Sequence, residues 1–256
     1  MTTLEVRGLV KKYRIRGGGR LTAVDDVSFT LESGKTIALV GQSGSGKSTI
    51  AKLLLQLERP SAGQILLDGA PVRRSRAYRR TVQMVFQDPF ASLNPYHSVA
   101  HHLARPLQLH GKSTDGVAEL LERVQLIPAD SFARRRPHEL SGGQRQRVAI
   151  ARALAPGPGI LIADEPVSML DVSIRLDILG LLADLQQQES LGLLYITHDL
   201  ATARHFSDEI MVMHRGQIVE YGPSDQVILD PQHDYTKLLL QASPNPEKHF
   251  GAGTKR

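Results

Sequence analysis

The octapeptide Gly41-Gln42-Ser43-Gly44-Ser45-Gly46-Lys47-Ser48 constrains this chain more than any other stretch. It fits the pattern G-x-x-x-x-G-K-[S/T], which chance produces in about one chain of this length in a hundred. Its neighbours fit as well. Thr36-Ile37-Ala38-Leu39-Val40 is a short apolar run of the kind that forms a strand buried on both faces. After the loop, Ile50, Leu53, Leu54 and Leu57 recur at i, i+3, i+4 and i+7, one face of a helix, and Pro60 and Gly63 are expected to end it. Strand, glycine-rich loop and helix make the first half of a βαβ unit. Backbone N–H groups can wrap a polyphosphate only where the chain curls tightly, and glycines permit that. The helix that follows adds unpaired N–H groups and its positive dipole end. Gly41, Ser43, Gly44, Ser45, Gly46, Lys47, Ser48 and Thr49 are the candidate phosphate cradle. Lys47 is placed to reach β- and γ-phosphates, and Ser48 to put a hydroxyl on Mg²⁺.

Three further apolar runs predict central strands: Val82 to Phe86, Ile160 to Ala163 and Leu193 to Thr197. Val27 to Leu31 alternates as a strand does, and Ile210 to Met213 with Gln217 to Tyr221 predict a hairpin around His214-Arg215-Gly216. Strands interleaved with helices argue for an α/β sheet. From about Val99 to Leu154 there are only helical patterns, so this stretch reads as a helical subdomain inserted between sheet strands. Parallel α/β sheets bind ligands beyond the carboxyl ends of their strands. Here Gln87, Asp164-Glu165 and His198 each follow a predicted strand, as the phosphate loop does. Asp164 suits a Mg²⁺ shell, and Glu165 could orient or deprotonate an attacking water. His198 could donate to a γ-phosphate. Gln87 could sense Mg²⁺ or water without adding charge.

Leu140-Ser141-Gly142-Gly143-Gln144 precedes a helix-prone run, with Ser141 as a plausible N-cap. Two glycines at a helix start make a second anion site. The two elements sit on different subdomains, so the simplest arrangement is head-to-tail, one copy's loop facing another copy's Ser141–Gln144. Composition bounds the rest. The 256 residues are 41% apolar and 22% charged, with a net charge of +5 and no cysteine. Disulfides, thiolate metal sites and cysteine nucleophiles are thereby excluded. No apolar run approaches the roughly 18 residues of a membrane-spanning helix. Met1 to Arg7 has no apolar core of the signal-peptide kind, so a cytosolic chain is expected.

With these motifs in this order, the chain resembles the ATP-binding-cassette ATPases from about Leu4 to Leu240. The resemblance covers the Walker A loop, Gln87 as Q-loop, Leu-Ser-Gly-Gly-Gln as signature, Asp164-Glu165 as Walker B, Ser168-Met169-Leu170-Asp171 as D-loop and His198 as switch histidine. It implies an α/β P-loop NTPase of RecA-like core with an antiparallel β subdomain and an inserted α-helical signature subdomain. The expected boundaries are 1–88 and 157–232 for the core with its β subdomain, 89–156 for the helical subdomain and 233–256 for a C-terminal extension and mobile tail. It further implies ATP and Mg²⁺, with Ser48, Gln87 and Asp164 around the metal and Glu165 as general base beside His198, Gln87 and Lys47. Tyr13 lies where such ATPases stack an aromatic ring on adenine. Ser141, Gly142, Gly143, Gln144 and Asp171 would complete the nucleotide site across a head-to-tail dimer, with the same chain or a paralogue.

A finer resemblance is to the cassettes of oligopeptide, dipeptide and nickel importers. It rests on Gln87-Asp88-Pro89-Phe90-Ala91-Ser92-Leu93-Asn94-Pro95, on Pro137-His138-Glu139, on Asp164-Glu165-Pro166-Val167-Ser168, and on the tail from Gly222-Pro223 through Tyr235-Thr236 to Ala242-Ser243-Pro244. It implies two membrane permease subunits contacted near residues 87–97, an extracytoplasmic solute-binding protein, and a peripheral place on the cytoplasmic face of the membrane. The cargo is a peptide or a related solute; nickel and oligosaccharide stay open. Met169 stands where alanine is commoner, and Asp234 replaces the proline usual between the tail's His and Tyr. Lacking cysteine, the chain cannot carry the iron–sulfur cluster of some relatives. Two other classes share the motifs. One is a soluble cassette ATPase acting on DNA or ribosomes, which usually fuses two cassettes or carries large insertions. The other is a binding-only cassette paired with an active paralogue, against which Glu165, His198 and Gly142-Gly143 stand intact. His97, His101 and His102 include an i, i+4 pair but lack a zinc-protease pattern. The arginines at 73, 74, 76, 79 and 80 and at 134–136 read as solvated faces, with places near lipid headgroups or partner subunits left open for some, and no nucleic acid is expected as partner.

Overall fold

The computed structural model of the chain describes residues 1–15 and 17–242. The polar tail expected after about Ser243 lies outside the described residues. Along the chain run β1 (Thr3–Arg14), β2 (Arg20–Glu32), β3 (Thr36–Val40), α1 (Lys47–Leu54), β4 (Ala62–Leu67), β5 (Ala70–Pro71), α2 (Arg76–Thr81) and β6 (Val82–Val85). Then come five helices, α3 (Pro89–Ser92), α4 (Val99–Leu109), α5 (Gly116–Arg123), α6 (Ala129–Arg134) and α7 (Gly142–Leu154). The chain returns through β7 (Ile160–Asp164), α8 (Val172–Glu189), β8 (Gly192–Thr197), α9 (Leu200–Phe206), β9 (Glu209–His214) and β10 (Gln217–Pro223), and ends in α10 (Ser224–Leu229) and α11 (Asp234–Ala242).

Two sheets form. The six-stranded one has the order β10-β9-β3-β8-β7-β6, parallel except for the edge strand β10, which closes the expected hairpin with β9. The four-stranded one, β2-β1-β4-β5, is antiparallel. Strand β3 shows why the large sheet needs layers on both faces. Its side chains alternate: Ile37 and Leu39 join a core with the antiparallel sheet and α1, while Ala38 and Val40 join the core under the helices. All five of its residues are buried. The helices between β6 and β7 pack among themselves through Leu103, Leu107, Leu120, Leu121, Phe132 and Val148. The class expected from the sequence is the one observed: an α/β cassette core with an antiparallel sheet and a helical insertion.

Two expectations need correction. Helix α1 ends at Leu54, well before Pro60 and Gly63, and Leu57 is exposed rather than on its apolar face. The amide of Gln56 donates to Leu53 O and that of Leu57 to Lys52 O, with Gln56 at φ 55°. This pairing is a Schellman stop, usually made with glycine. Phe86, expected in a strand, also falls one residue beyond β6.

Candidate functional site

The phosphate loop is shaped by contacts from behind. A Cβ on Gly41 would lie 2.3 Å from Met213 O, and one on Gly46 would lie 2.3 Å from Ala23 O. Gly46 also has φ 116°, so backbone strain and crowding both favour glycine there. The amide of Gly216, in the β9–β10 turn, donates to Ser45 O at 2.8 Å. The crest of the loop, Gln42 to Gly44, is exposed, and the amide of Thr49 donates to Gly46 O as α1 begins. Lys47 is buried and folds back: its Nζ donates to Gly41 O at 2.6 Å and to Gln42 O at 3.1 Å. Burial pushes its pKa below the usual lysine value, against the pull of Glu165 and Asp164.

The polar groups at the strand ends meet. Asp164, the last residue of β7, accepts a hydrogen bond from the Ser48 hydroxyl; burial raises its pKa, and that bond and Lys47 oppose the rise. Glu165 has φ 44°, a rare conformation for a residue with a Cβ, and its amide donates to Ile196 O on β8 at 2.9 Å. Its carboxylate is held from two sides. Gln87 Nε2 donates to Oε2 at 3.2 Å, and His198 Nδ1 lies 3.5 Å from Oε1. His198 follows β8 and precedes Asp199, which caps α9 by accepting from the amides of Ala201 and Thr202. Gln87, Asp164, Glu165, His198, Lys47 and Ser48 therefore form one cluster on one edge of the sheet.

The donor set fits a hard cation. Ser48 brings a hydroxyl, Asp164 a carboxylate and Gln87 an amide oxygen, the ligand types that Mg²⁺ prefers alongside water and phosphate oxygens. Among the described residues, no three His, Asp or Glu side chains are disposed around a metal. A cation held here would rest on one carboxylate and on oxygens brought by the substrate. The histidines at 97, 101 and 102 pack instead: His97 and His101 stack at 4.0 Å, and His102 Nε2 bonds Asn94 O at 3.0 Å.

The remaining candidates lie apart from that cluster. Ser141 is the N-cap of α7 in a full capping box: its hydroxyl accepts from the Gln144 amide, and the Gln144 side chain accepts from the Ser141 amide. Gly142 abuts Leu170 and Gly143 abuts Ile174, so the signature packs on the D-loop and α8 rather than on the phosphate loop. Asp171 is the exposed N-cap of α8 and makes no side-chain capping bond. Tyr13 pairs with Leu21 across β1 and β2, two residues before Ala23, whose carbonyl crowds Gly46. Lys11 Nζ stands 4.8 Å over its ring. Two contacts carried no sequence signal. The Arg145 guanidinium lies 4.3 Å over the Phe90 ring, tying α7 to α3. The amide of Gln42 donates to the Tyr235 hydroxyl at 3.3 Å, across 193 positions.

This fold and this cluster define a nucleotide-binding cassette. The ABC transporter family model matches residues 24–168, and the chain belongs to that family. It is 46% identical over 264 residues to the glutathione import ATP-binding protein GsiA of Salmonella typhimurium strain LT2, covering 96% of this chain and 42% of that protein. A Brucella ovis protein, provisionally named a peptide import ATP-binding protein, is 46% identical over 255 residues, covering 95% of this chain and 79% of its own length. The chain thus spans about two-fifths of the GsiA proteins it matches. Among solved structures, the dimeric post-hydrolysis form of the cassette MJ0796 with ADP and Pi aligns with a TM-score of 0.76 at 29% identity, covering 86% of this chain and 98% of that one. CbiO1 of Clostridium perfringens, part of the transporter complex cbiONQ, aligns at 0.78 and 29% identity, covering 89% and 90%.

Proposed function

We propose that this chain is the ATP-hydrolysing subunit of a peptide-type importer. The observation that carries the reading is the Glu165 carboxylate, held between Gln87 and His198 beside buried Lys47 and the Ser48–Asp164 pair. In this reading Glu165 takes a proton from the attacking water and His198 donates to the γ-phosphate. Lys47 contacts the β- and γ-phosphates, while Ser48, Asp164 and Gln87 hold Mg²⁺. Mg²⁺, once bound, neutralises charge on the phosphate oxygens. Tyr13 stacks on adenine. Ser141, Gly142, Gly143 and Gln144 receive the nucleotide of a second cassette in a head-to-tail dimer, with Asp171 at that interface. The exposed Ser141 at the start of α7 supports this arrangement, as does the dimeric state named for the MJ0796 cassette. The working units are 1–88 with 157–232, 89–156, and the extension from 233.

The partners follow from the same reading. Residues 87–97 border a cleft of about 1250 Å³ that reaches Ser48 and Asp164, with Phe90 and Tyr96 exposed. That is where two permease subunits would dock, fed by an extracytoplasmic solute-binding protein. No helix among the described residues is long and apolar enough to cross a membrane, so attachment at the cytoplasmic face would run through those permeases. The names of the GsiA and Brucella ovis relatives favour a peptide cargo, glutathione being a tripeptide, over an ATPase acting on DNA or ribosomes.

The test is Glu165→Gln. General-base contributions run about 10²–10⁴-fold. Turnover should fall by that factor while ATP binding persists, and gel filtration with ATP should trap a closed dimer. Near-normal turnover would remove Glu165 from the proposed role.

A further inference from the structure

The segment after β10 is a sequence motif that hydrolysis leaves unused, yet it reaches the phosphate loop. Gln232 and His233 wrap the Glu220 carboxylate: their amides donate to Oε1 at 2.8 Å and to Oε2 at 3.1 Å. His233 Nδ1 then accepts from the Tyr235 amide at 3.1 Å, fixing the first turn of α11. Tyr235 is buried at 8% exposure, and its ring lies against His214, tilted by 36° with centroids 3.8 Å apart. His214 ends β9, next to Met213, whose carbonyl crowds Gly41. The Tyr235 hydroxyl accepts from the Gln42 amide at 3.3 Å, and one residue past Arg215 the Gly216 amide donates to Ser45 O. The loop is therefore gripped at Gln42 and Ser45 by groups from the C-terminal third of the chain.

We infer that Tyr235 is a positioning residue for the phosphate loop, and that the C-terminal extension serves as its brace. An amide bonded to Tyr235 is committed to protein and not to phosphate, and Gln42 O in turn accepts from the Ser45 amide at 3.1 Å, so the Tyr235 bond fixes one flank of the loop. A loop held in its binding shape loses less conformational freedom when nucleotide arrives. Removing the hydroxyl leaves the ring, its contact with His214 and the fold, and it frees the Gln42 amide. The effect should fall on binding and not on the chemical step. The binding readout rests on the loop being the nucleotide site, but the brace itself does not.

The experiment compares the wild-type chain, Tyr235→Phe and Tyr221→Phe, the last removing a hydroxyl that bonds Glu209 far from the loop. In nucleotide-free protein, hydrogen exchange of the peptide spanning residues 41–46 should quicken in Tyr235→Phe alone. Its affinity for a fluorescent ATP analogue should weaken about twofold to tenfold, the range for one net hydrogen bond. KM for ATP should rise in step while kcat holds. Unchanged loop exchange in Tyr235→Phe overturns the inference, and so does a fall in kcat at constant affinity. Faster loop exchange in a chain that binds no nucleotide would uphold the brace and refute the nucleotide reading.

Discussion

The phosphate loop and the signature both stand at helix starts, but they are built in opposite ways. At the loop, a buried lysine, a buried aspartate and a glutamate at positive φ are brought together beyond the ends of two parallel strands, β3 and β7, and burial pushes the lysine and the aspartate towards their neutral forms. At the signature, no acidic side chain stands in the first turn of α7, and its capping box closes neatly on Ser141 and Gln144. The loop end gathers buried charge and a strained backbone; the signature end is a capped, unstrained helix start. On the proposed reading the loop end would act on a phosphate and the signature of a second copy would only receive one, which is why that reading asks for two copies.

The sharpest way to break this comparison is to damage each half separately. Lys47→Ala removes a charged donor to phosphate, and hydrogen bonds to charged groups contribute about 1.5–3 kcal/mol. ATP affinity of the isolated chain should fall about tenfold to a hundredfold. Gly142→Ala should leave that affinity within about twofold, because its Cβ would meet only side chains, Leu170 at 3.3 Å and Phe90 at 3.9 Å, while lowering turnover in the assembled dimer. Fluorescent-nucleotide titration alongside steady-state ATPase rates separates the two. Equal losses of binding would mean that both elements serve one nucleotide within one chain.

A second test measures the stress directly. Burial raises the pKa of Asp164 in the folded chain, so its ionised form is less favourable there than in the unfolded chain. A raised carboxyl pKa means that stability is lost as pH climbs from the unfolded value through the folded one. Asp164→Asn keeps an acceptor for Ser48 without the charge. It should melt higher than wild type at neutral pH, and the gap should close as pH falls into the carboxylate range. Thermal melts across pH check this, and a lower melting point for the variant at neutral pH would show that the cluster is stabilising.

The same contrast separates what sequence made legible from what it did not. Strand β3, the loop and the start of α1 were readable because each is fixed by neighbours in the chain. Gln87, Asp164, Glu165 and His198 could be gathered in advance because parallel strands deliver their carboxyl ends to one edge. The end of α1 was hidden, since Gln56 occupies a left-handed position where glycine is the usual signal. Strand β1 was hidden too: register shifts after Val6, Leu9 and Lys11 break the alternation by which strands are found. Tyr235 on Gln42 was out of reach, because nothing periodic links residues 193 apart.

The smallest test falls on the relaxed end. Ser141→Ala leaves the Gln144 amide without its acceptor, and loss of such a cap costs about 0.5–2 kcal/mol. Urea unfolding should show a drop of that size, and Ser141→Asp should restore most of it, since a carboxylate caps and also suits the helix dipole. The aspartate variant separates fold from function: it repairs the helix but sets a negative charge where another copy's γ-phosphate would arrive. Stability should recover while ATP-driven dimer formation does not. If Ser141→Asp regained both, the amides of α7 would not be facing phosphate at all.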